Sequence, residues 1–270
     1  MIARALAKHA ALIVLCIIIL FPVLWMFSTA FKVPTEIFSV GLIPRHPTLE
    51  NIRTIIVDHP FWTWLGNSVI ITVGVTLIRV LTSILAAYAF SFYRFAGQGF
   101  LFLLTVGSMM IPFPITMIPN YITISSLNLL NTHWGVIAPY TASGFGIFLL
   151  RQYMKSIPLS IIEAARIDGA NSWRTLWSIV VPMVRGPIFA LFIWLAIEGW
   201  NLFFWPMLVI SEESMRTLPI AMLSFQDTEA GMLWGELMAL ATLTCLPTLI
   251  VYILARRQIL QVSISSGVKG

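Results

Sequence analysis

The sequence predicts an all-α, polytopic membrane protein with six transmembrane helices. Three observations carry that expectation. Hydrophobic residues make up 59% of the 270 and charged residues only 10%, with a mean hydropathy of +0.91. A soluble domain is about half apolar and about a quarter charged, so this chain has too few charges to cover a water-facing surface of its size. Apolar runs also recur at lengths near the ~20 residues that a helix needs to cross ~30 Å of hydrocarbon. Their periodicity is helical or featureless, without the alternating segments of about ten residues that mark a membrane β-barrel.

The predicted spans are about 10–31, 67–93, 100–124, 134–152, 187–210 and 231–255, within one membrane domain covering 1–270. Arg4 and Lys8 precede the first run as they would in a signal peptide. The run is too long for an h-region and no small-x-small site follows, so it is expected to be a retained helix. The third span holds Pro112, Pro114 and Pro119. Broken helices at membrane depth line a cavity or are buried against protein, which makes Pro112 and Pro114 candidates for a solute path; a packing kink accounts for them equally well. The fourth span is short and rich in glycine and serine. The fifth carries Trp200, Asn201, Phe204 and Trp205 near its outer end. Aromatic rings stack on the C–H faces of sugars and amides pair with hydroxyls, while an interfacial aromatic belt explains the same residues. Cys16 and Cys245 both fall inside spans and read as small core residues rather than a disulfide or metal ligands.

Two charges lie where charge is costly. Arg79 and Glu198 sit about 16–18 Å into the second and fifth spans at 1.5 Å per residue. Ionisable groups at such depth face a bundle interior or water, so these two are expected to pair with each other or with a partner protein.

Charge distribution sets the orientation. With the N-terminus inside, the cytoplasmic segments hold Arg4, Lys8, Arg94, Arg151, Lys155, Arg166, Arg174, Arg185, Arg256, Arg257 and Lys269, eleven of the sixteen basic residues. The positive-inside rule then places both termini in the cytoplasm. The formal charge of +5 is thereby a topology signal and gives no reason to expect nucleic acid. The longest external segments are 32–66 and 211–230, the second carrying Glu212, Glu213, Asp227 and Glu229.

The largest cytoplasmic feature is the loop 156–182, which reads SIPLSIIEAARIDGANSWRTLWSIVVP. Pro158 and Ser160 are expected to open a helix, Ser160 and Glu163 having the spacing of a capping box. Asp168-Gly169 should close it, glycine relieving the left-handed turn after a helix. Asn171 or Ser172 should cap a second helix leading into the fifth span. Two adjacent alanines, Ala164 and Ala165, make a surface that another protein can approach closely.

This loop resembles the EAA motif of ABC importer permeases: Glu163, Ala164, Ala165, then Gly169, then Ile179 and Pro182, with Val181 where the family usually has leucine. The string alone is an ordinary capped helix with a glycine stop. Its place in the largest cytoplasmic loop, between the fourth and fifth spans, is what makes it specific. The resemblance extends over essentially the whole chain and points to the carbohydrate-uptake branch, the maltose-type second permease with the type I fold. Asn67-Ser68, Leu130-Asn131-Thr132, Gly199-Trp200-Asn201, Trp205-Pro206 and the Ser266–Gly270 tail are similar to that branch.

The resemblance implies a non-enzymatic permease of a bacterial or archaeal cell (inner) membrane. Glu163, Ala164, Ala165, Arg166, Asp168 and Gly169 would form the coupling helix that docks in a cytoplasmic ATPase. The implied partners are a second homologous permease, two copies of the ABC ATPase, an extracytoplasmic solute-binding protein and the bilayer. ATP and Mg would be held by the ATPase subunits, and no cofactor, metal or catalytic residue is expected in this chain. Ser224, Phe225, Gln226 and Asp227 resemble the loop that reaches into the sugar-binding protein, and the polar tail from Ser263 to Gly270 would approach the ATPase.

The expected substrate is a sugar or oligosaccharide; a glycerol-3-phosphate or glycerophosphodiester importer of the same branch is the nearest alternative, with Arg79 as its anion contact. No G-x-x-x-x-G-K-[ST] string is present, so ATP is not bound here through a P-loop. A secondary transporter would favour internal repeats and several membrane carboxylates, of which only Glu198 is seen. An intramembrane enzyme finds no support in the scattered His9, His46, His59 and His133.

Overall fold

Helix α3, Phe61–Phe92, runs unbroken for 32 residues and contains the second predicted span but for its last residue, Tyr93. The computed structural model that shows it describes residues 2–39, 41–226 and 232–267, and among them there are helices and turns but no strand. Upstream lie α1, Ile2–Ala30, and the short α2, Glu50–Val57. The third predicted span is two helices, α4 (Gln98–Ser108) and α5 (Phe113–Ser126), meeting at 101°. Pro112 is the cause: it sits at the N-cap of α5 with ψ 132°, extended backbone that a helix cannot continue through.

The fourth predicted span is not one helix. It comprises α6 (His133–Ile137), a 3-10 turn at Ala138–Tyr140, and α7 (Gly144–Met154). Pro139 tightens the turn, and Ser143 caps α7 by accepting from the Gly146 amide at 3.1 Å. Helix α8 covers Leu159–Ile167 and α9 covers Ser172–Thr175. A π-helical stretch, Leu176–Val180, then leads into α10, Val181–Met183. Pro182 has no amide to give to the preceding turn, and the Val181 amide reaches back five residues to the Leu176 carbonyl.

Helix α11, Arg185–Trp200, departs from this segment at 82°. The fifth predicted span ends at Trp200, and Phe204–Val209 is a separate helix, α12. After α13, Leu218–Ala221, helix α14 runs Trp234–Gly267 with Pro247 inside it. Among the described residues, three single helical stretches are long and apolar enough to cross a bilayer, and each bent pair adds one more by the same measure, up to five. The expected count of six is therefore approximate, the stretch around Pro139 being the one without a continuous helix.

The contacts divide the chain into two units, 1–66 with 216–249 and 67–215 with 250–270. In the first, Asn51 donates to the carbonyls of Ala30 (3.1 Å) and Lys32 (2.9 Å), tying α2 to the end of α1. Lys32 is buried, its ammonium 3.0 Å from the Ser39 carbonyl and 5.8 Å from the Trp25 ring centroid. Trp64, Phe225 and His59 pack edge to face or stacked, and His59 lies 3.6 Å from Glu236. Cys16, expected in a core, is instead exposed on α1 among Leu12, Ile13, Leu15 and Ile19, as suits a helix whose solvent is lipid.

In the second unit one core holds Val80, Ile84, Ala87 and Tyr88 of α3 against Leu150 and Met154 of α7 and Leu191 and Leu195 of α11. Gly146 permits this approach: a Cβ there would collide with the Ser83 hydroxyl and lie 3.2 Å from Leu191 Cδ2, the small-residue contact that membrane helices use in place of a hydrophobic drive. The same helices bring Arg79 and Glu198 together at 3.1 Å. Arg79 is nearly buried at 11% side-chain exposure and Glu198 less so at 41%. The contact is an ion pair without an aligned hydrogen bond, and the Arg79 guanidinium also lies 5.7 Å from the Tyr140 ring.

Gly146→Val is expected to cost about 1–3 kcal/mol through overpacking, read as a lower melting temperature of detergent-purified protein. Either single charge reversal, Arg79→Glu or Glu198→Arg, should destabilise by about 1–2 kcal/mol, less than for a fully buried pair because Glu198 is partly solvated. The double swap should recover most of the loss. A swap no more stable than the worse single variant would show that the two charges act separately.

Candidate functional site

The loop 156–182 folds as a helix, a tight turn and a second helix. Pro158, with ψ 131°, is the N-cap of α8 and offers no side-chain cap, so Ser160 lies inside the helix and the expected Ser160–Glu163 capping box does not form. The proline places the helix start two residues earlier than a cap at Ser160 would. The other end follows expectation. Gly169 has φ +79°, its amide bonds the Arg166 carbonyl at 3.0 Å, and the Ala170 amide bonds the Ala165 carbonyl at 2.9 Å. These two bonds are a Schellman closure, which needs a residue at home in the left-handed region. Asn171 then caps α9, its Oδ1 accepting from the Arg174 amide at 2.8 Å.

The loop has two distinct sides. Ile162 and Ala165 are buried, and Ile162 belongs to the same core as Leu150, Met154, Leu176 and Val180. Glu163, Ala164, Arg166, Asp168 and Gly169 are exposed. Ile167 and Trp173 are exposed too, at 87% and 63%. Sequence reasoning passed over these two, although Ile167 stands four residues after Glu163 and three after Ala164, on the same helix face. Large apolar side chains left this open form a surface that another molecule can cover. The Tyr88 hydroxyl donates to the Ser172 carbonyl at 3.3 Å, linking α3 to the second helix of the loop.

The six residues expected to line a solute path do not form one surface. Pro112 and Pro114 are exposed at the break between α4 and α5. Trp205 is fully buried, its Nε1 donating to the Gly135 carbonyl at 3.3 Å, with Phe113 edge-on at 6.0 Å and Tyr140 stacked on Phe113 at 5.0 Å. Trp200 is buried as well, while Asn201 and Phe204 are exposed, Asn201 bonding back to the Ile197 carbonyl at 2.8 Å. The end of α11 at Trp200 splits the cluster. A largely apolar cavity of about 760 Å³ opens elsewhere, against Val73, Gly74 and Ile78 of α3 and Thr132, His133 and Ile137, and none of the six lines it.

A polar seam not anticipated by its chemistry surrounds the start of α6. Asn131, at φ +54°, accepts from the amides of Ser211 (2.7 Å) and Glu212 (3.0 Å). Asn67 donates to the Ser214 carbonyl at 2.8 Å and lies 2.9 Å from His133 Nε2. Asn67 and Asn131 thus pin the segment 211–214. Of the expected binding-protein loop, Ser224 accepts from Arg216 at 2.6 Å, Phe225 is buried and Gln226 is exposed. Asp227 and Glu229 lie outside the described residues, as do positions 268–270 of the tail.

Comparison with known proteins identifies the chain's relatives. Residues 79–260 match the family of binding-protein-dependent transport system inner membrane components. The arabinooligosaccharides transport system permease protein AraQ of Halalkalibacterium halodurans is 33% identical over 94% of this chain and 92% of its own length. The sn-glycerol-3-phosphate transport system permease protein UgpE of Yersinia pestis is 34% identical over 92% of each. A chain of a bacterial ABC transporter that imports the acidic polysaccharide alginate shares the fold, with a TM-score of 0.86, 23% identity and coverage of 94% and 96%. With two thirds of its length inside the family match and these relatives nearly end to end, the chain belongs to the binding-protein-dependent transport system inner membrane components, the permeases of ABC importers.

Proposed function

We propose that this permease forms the translocation path of a carbohydrate importer together with a second, homologous permease, and that two ATPase subunits drive it through the loop 156–182. The single observation that carries the coupling reading is the two-sided loop: Ile162 and Ala165 anchored in the core, Glu163, Ala164, Ile167 and Trp173 presented outward. An anchored loop transmits displacement. ATPase closure would carry α8, and through the shared core the inner ends of α3, α7 and α11, from an inward- to an outward-facing arrangement. Hydrolysis would occur on the ATPase, with ATP and Mg held there. The extracytoplasmic solute-binding protein would deliver its ligand at the opposite face, where Ser224–Asp227 are the proposed contact, and both termini would lie in the cytoplasm.

For the solute, a sugar or oligosaccharide is favoured by the named oligosaccharide and polysaccharide transporters among the relatives. The ion pair adds a chemical argument. Arg79 is already neutralised by Glu198 at 3.1 Å, which leaves no lone cation there to receive a phosphate. Glycerol-3-phosphate remains the second reading because permeases of that transport system match equally well.

Ala164→Asp and Ile167→Ser both alter exposed positions, so each should leave thermal stability within about 0.5 kcal/mol. Each should nonetheless abolish or sharply reduce transport and substrate-stimulated ATP hydrolysis in proteoliposomes; full activity would refute the docking face. Calorimetric titration of the cognate solute-binding protein should show micromolar or tighter binding of a sugar and none of glycerol-3-phosphate, and the reverse result would reassign the cargo.

A further inference from the structure

Beside the loop 156–182 lies a cleft of about 840 Å³ to which the proposed function gives no occupant. It is walled by the end of α3 and the turn after it (Phe90, Tyr93, Arg94), the start of α4 (Gln98, Gly99), the end of α7 (Arg151, Lys155) and α8 (Glu163, Arg166). Four cations face one carboxylate. Among the described residues none of these five side chains is in an ion pair. Arg151 is held in place: its Nε donates to the Phe90 carbonyl at 3.3 Å and its guanidinium lies 3.8 Å from the Phe102 ring centroid. Arg94, Lys155 and Arg166 are exposed.

Two further features narrow the ligand. Helix α4 starts in this cleft from Gly97, at φ +79°, with no side-chain cap. The Gln98 amide is taken by the Phe95 carbonyl at 3.2 Å, but the positive end of the helix dipole still lies at the cleft, and Gly99 brings the backbone close. Leading away from the same point, α4 exposes Phe100, Leu101, Leu103 and Leu104. A basic, hydrogen-bonding mouth continuous with an apolar track fits a molecule with an anionic head and a hydrocarbon tail. An acidic segment of a protein partner would use the mouth and leave the track without purpose.

We propose that this cleft holds the phosphate headgroup of an anionic phospholipid, with the acyl chains lying along the exposed residues of α4. Arg94 and Arg151 supply planar donors suited to phosphate oxygens, and Lys155 supplies a point charge. Basic pockets between membrane helices on the cytoplasmic side are a physically favoured place for such headgroups. Because Glu163 and Arg166 line the cleft and also belong to the coupling helix, an occupied cleft would couple lipid composition to the drive of the pump. The proposed membrane sidedness enters only in naming the leaflet; the site's chemistry stands without it.

The test is native mass spectrometry of the full-length chain in its purified assembly, exchanged into phosphatidylglycerol or phosphatidylcholine. Wild type should retain phosphatidylglycerol selectively, and excess inorganic phosphate should not displace it. The double variant Arg94→Gln/Lys155→Gln should retain about thirtyfold less of it, the loss of two basic contacts near a membrane surface, with phosphatidylcholine unchanged. The charge-preserving Arg94→Lys/Lys155→Arg should restore retention. Equal retention of both lipids by wild type, displacement by phosphate alone, or selective retention surviving in the double variant would each overturn the proposal. Loss of a protein subunit from the double variant with lipid retention intact would assign the cleft to that subunit. Because retention is scored without transport, the outcome is separate from whether the cargo or the ATPase docking is as proposed.

Discussion

The burial of Ile162 beneath the loop 156–182 is the contact on which the rest of this permease depends. A short helix joined to a membrane protein only by its two ends would swing independently of the spans. Here α8 contributes Ile162 to a core that also contains Ile84, Leu150, Met154, Leu176 and Leu195, so three membrane helices and the loop share one set of side chains. Fully burying an isoleucine is worth about 1.5–3 kcal/mol, and interiors of this density move as packed units. A force applied at Glu163 is thereby shared by α3, α7 and α11. The polar links, Tyr88 to Ser172 and Arg151 to Phe90, fix direction more than they add stability.

The division of labour between apolar packing and sparse polar contacts runs through both units. Where water is excluded, the charged and amide side chains find specific partners: Lys32 a carbonyl, Asn51 two carbonyls, Arg79 a carboxylate. Where lipid is the solvent, as along α1, the side chains are apolar and exposed. The extended polar seam made by Asn67, Asn131 and His133 lies at the start of α6 and anchors the segment 211–214.

How much of this was legible in the sequence depended on the range of the interaction concerned. Gly169 was readable because its requirement is local: a left-handed residue after a helix is a property of five or six consecutive positions. Asn171 was readable for the same reason. Arg79 and Glu198 were readable from energetics, since an isolated charge at that depth is too costly to leave unpaired. The failures came from breaks and burial. Pro158 displaced a serine cap that matched the motif spacing. The stop at Trp200 separated four aromatic and amide residues that look continuous in the string, sending Trp205 into the core and Phe204 outward. Ile167 and Trp173 were missed because exposure is invisible in a sequence where nearly everything is apolar. The roles of Asn67 and Asn131 needed partners 147 and 80 residues away, respectively.

The π-helical stretch Leu176–Val180 gives the connection between loop and span an unusual property. An α-helix transmits rotation as well as translation, each residue advancing the face by about 100°. A π segment holds one residue more than the α-helical turn it replaces, and relaxing it would change helical phase without changing sequence. The exposed Trp173 sits on one side of that segment and α11, with Glu198, on the other. The angular setting of the exposed loop face relative to the Arg79–Glu198 ion pair is therefore a variable of the backbone: relaxing the π segment would turn one against the other, whereas deleting its extra residue would leave a regular α-helix with the flanking faces near their present setting.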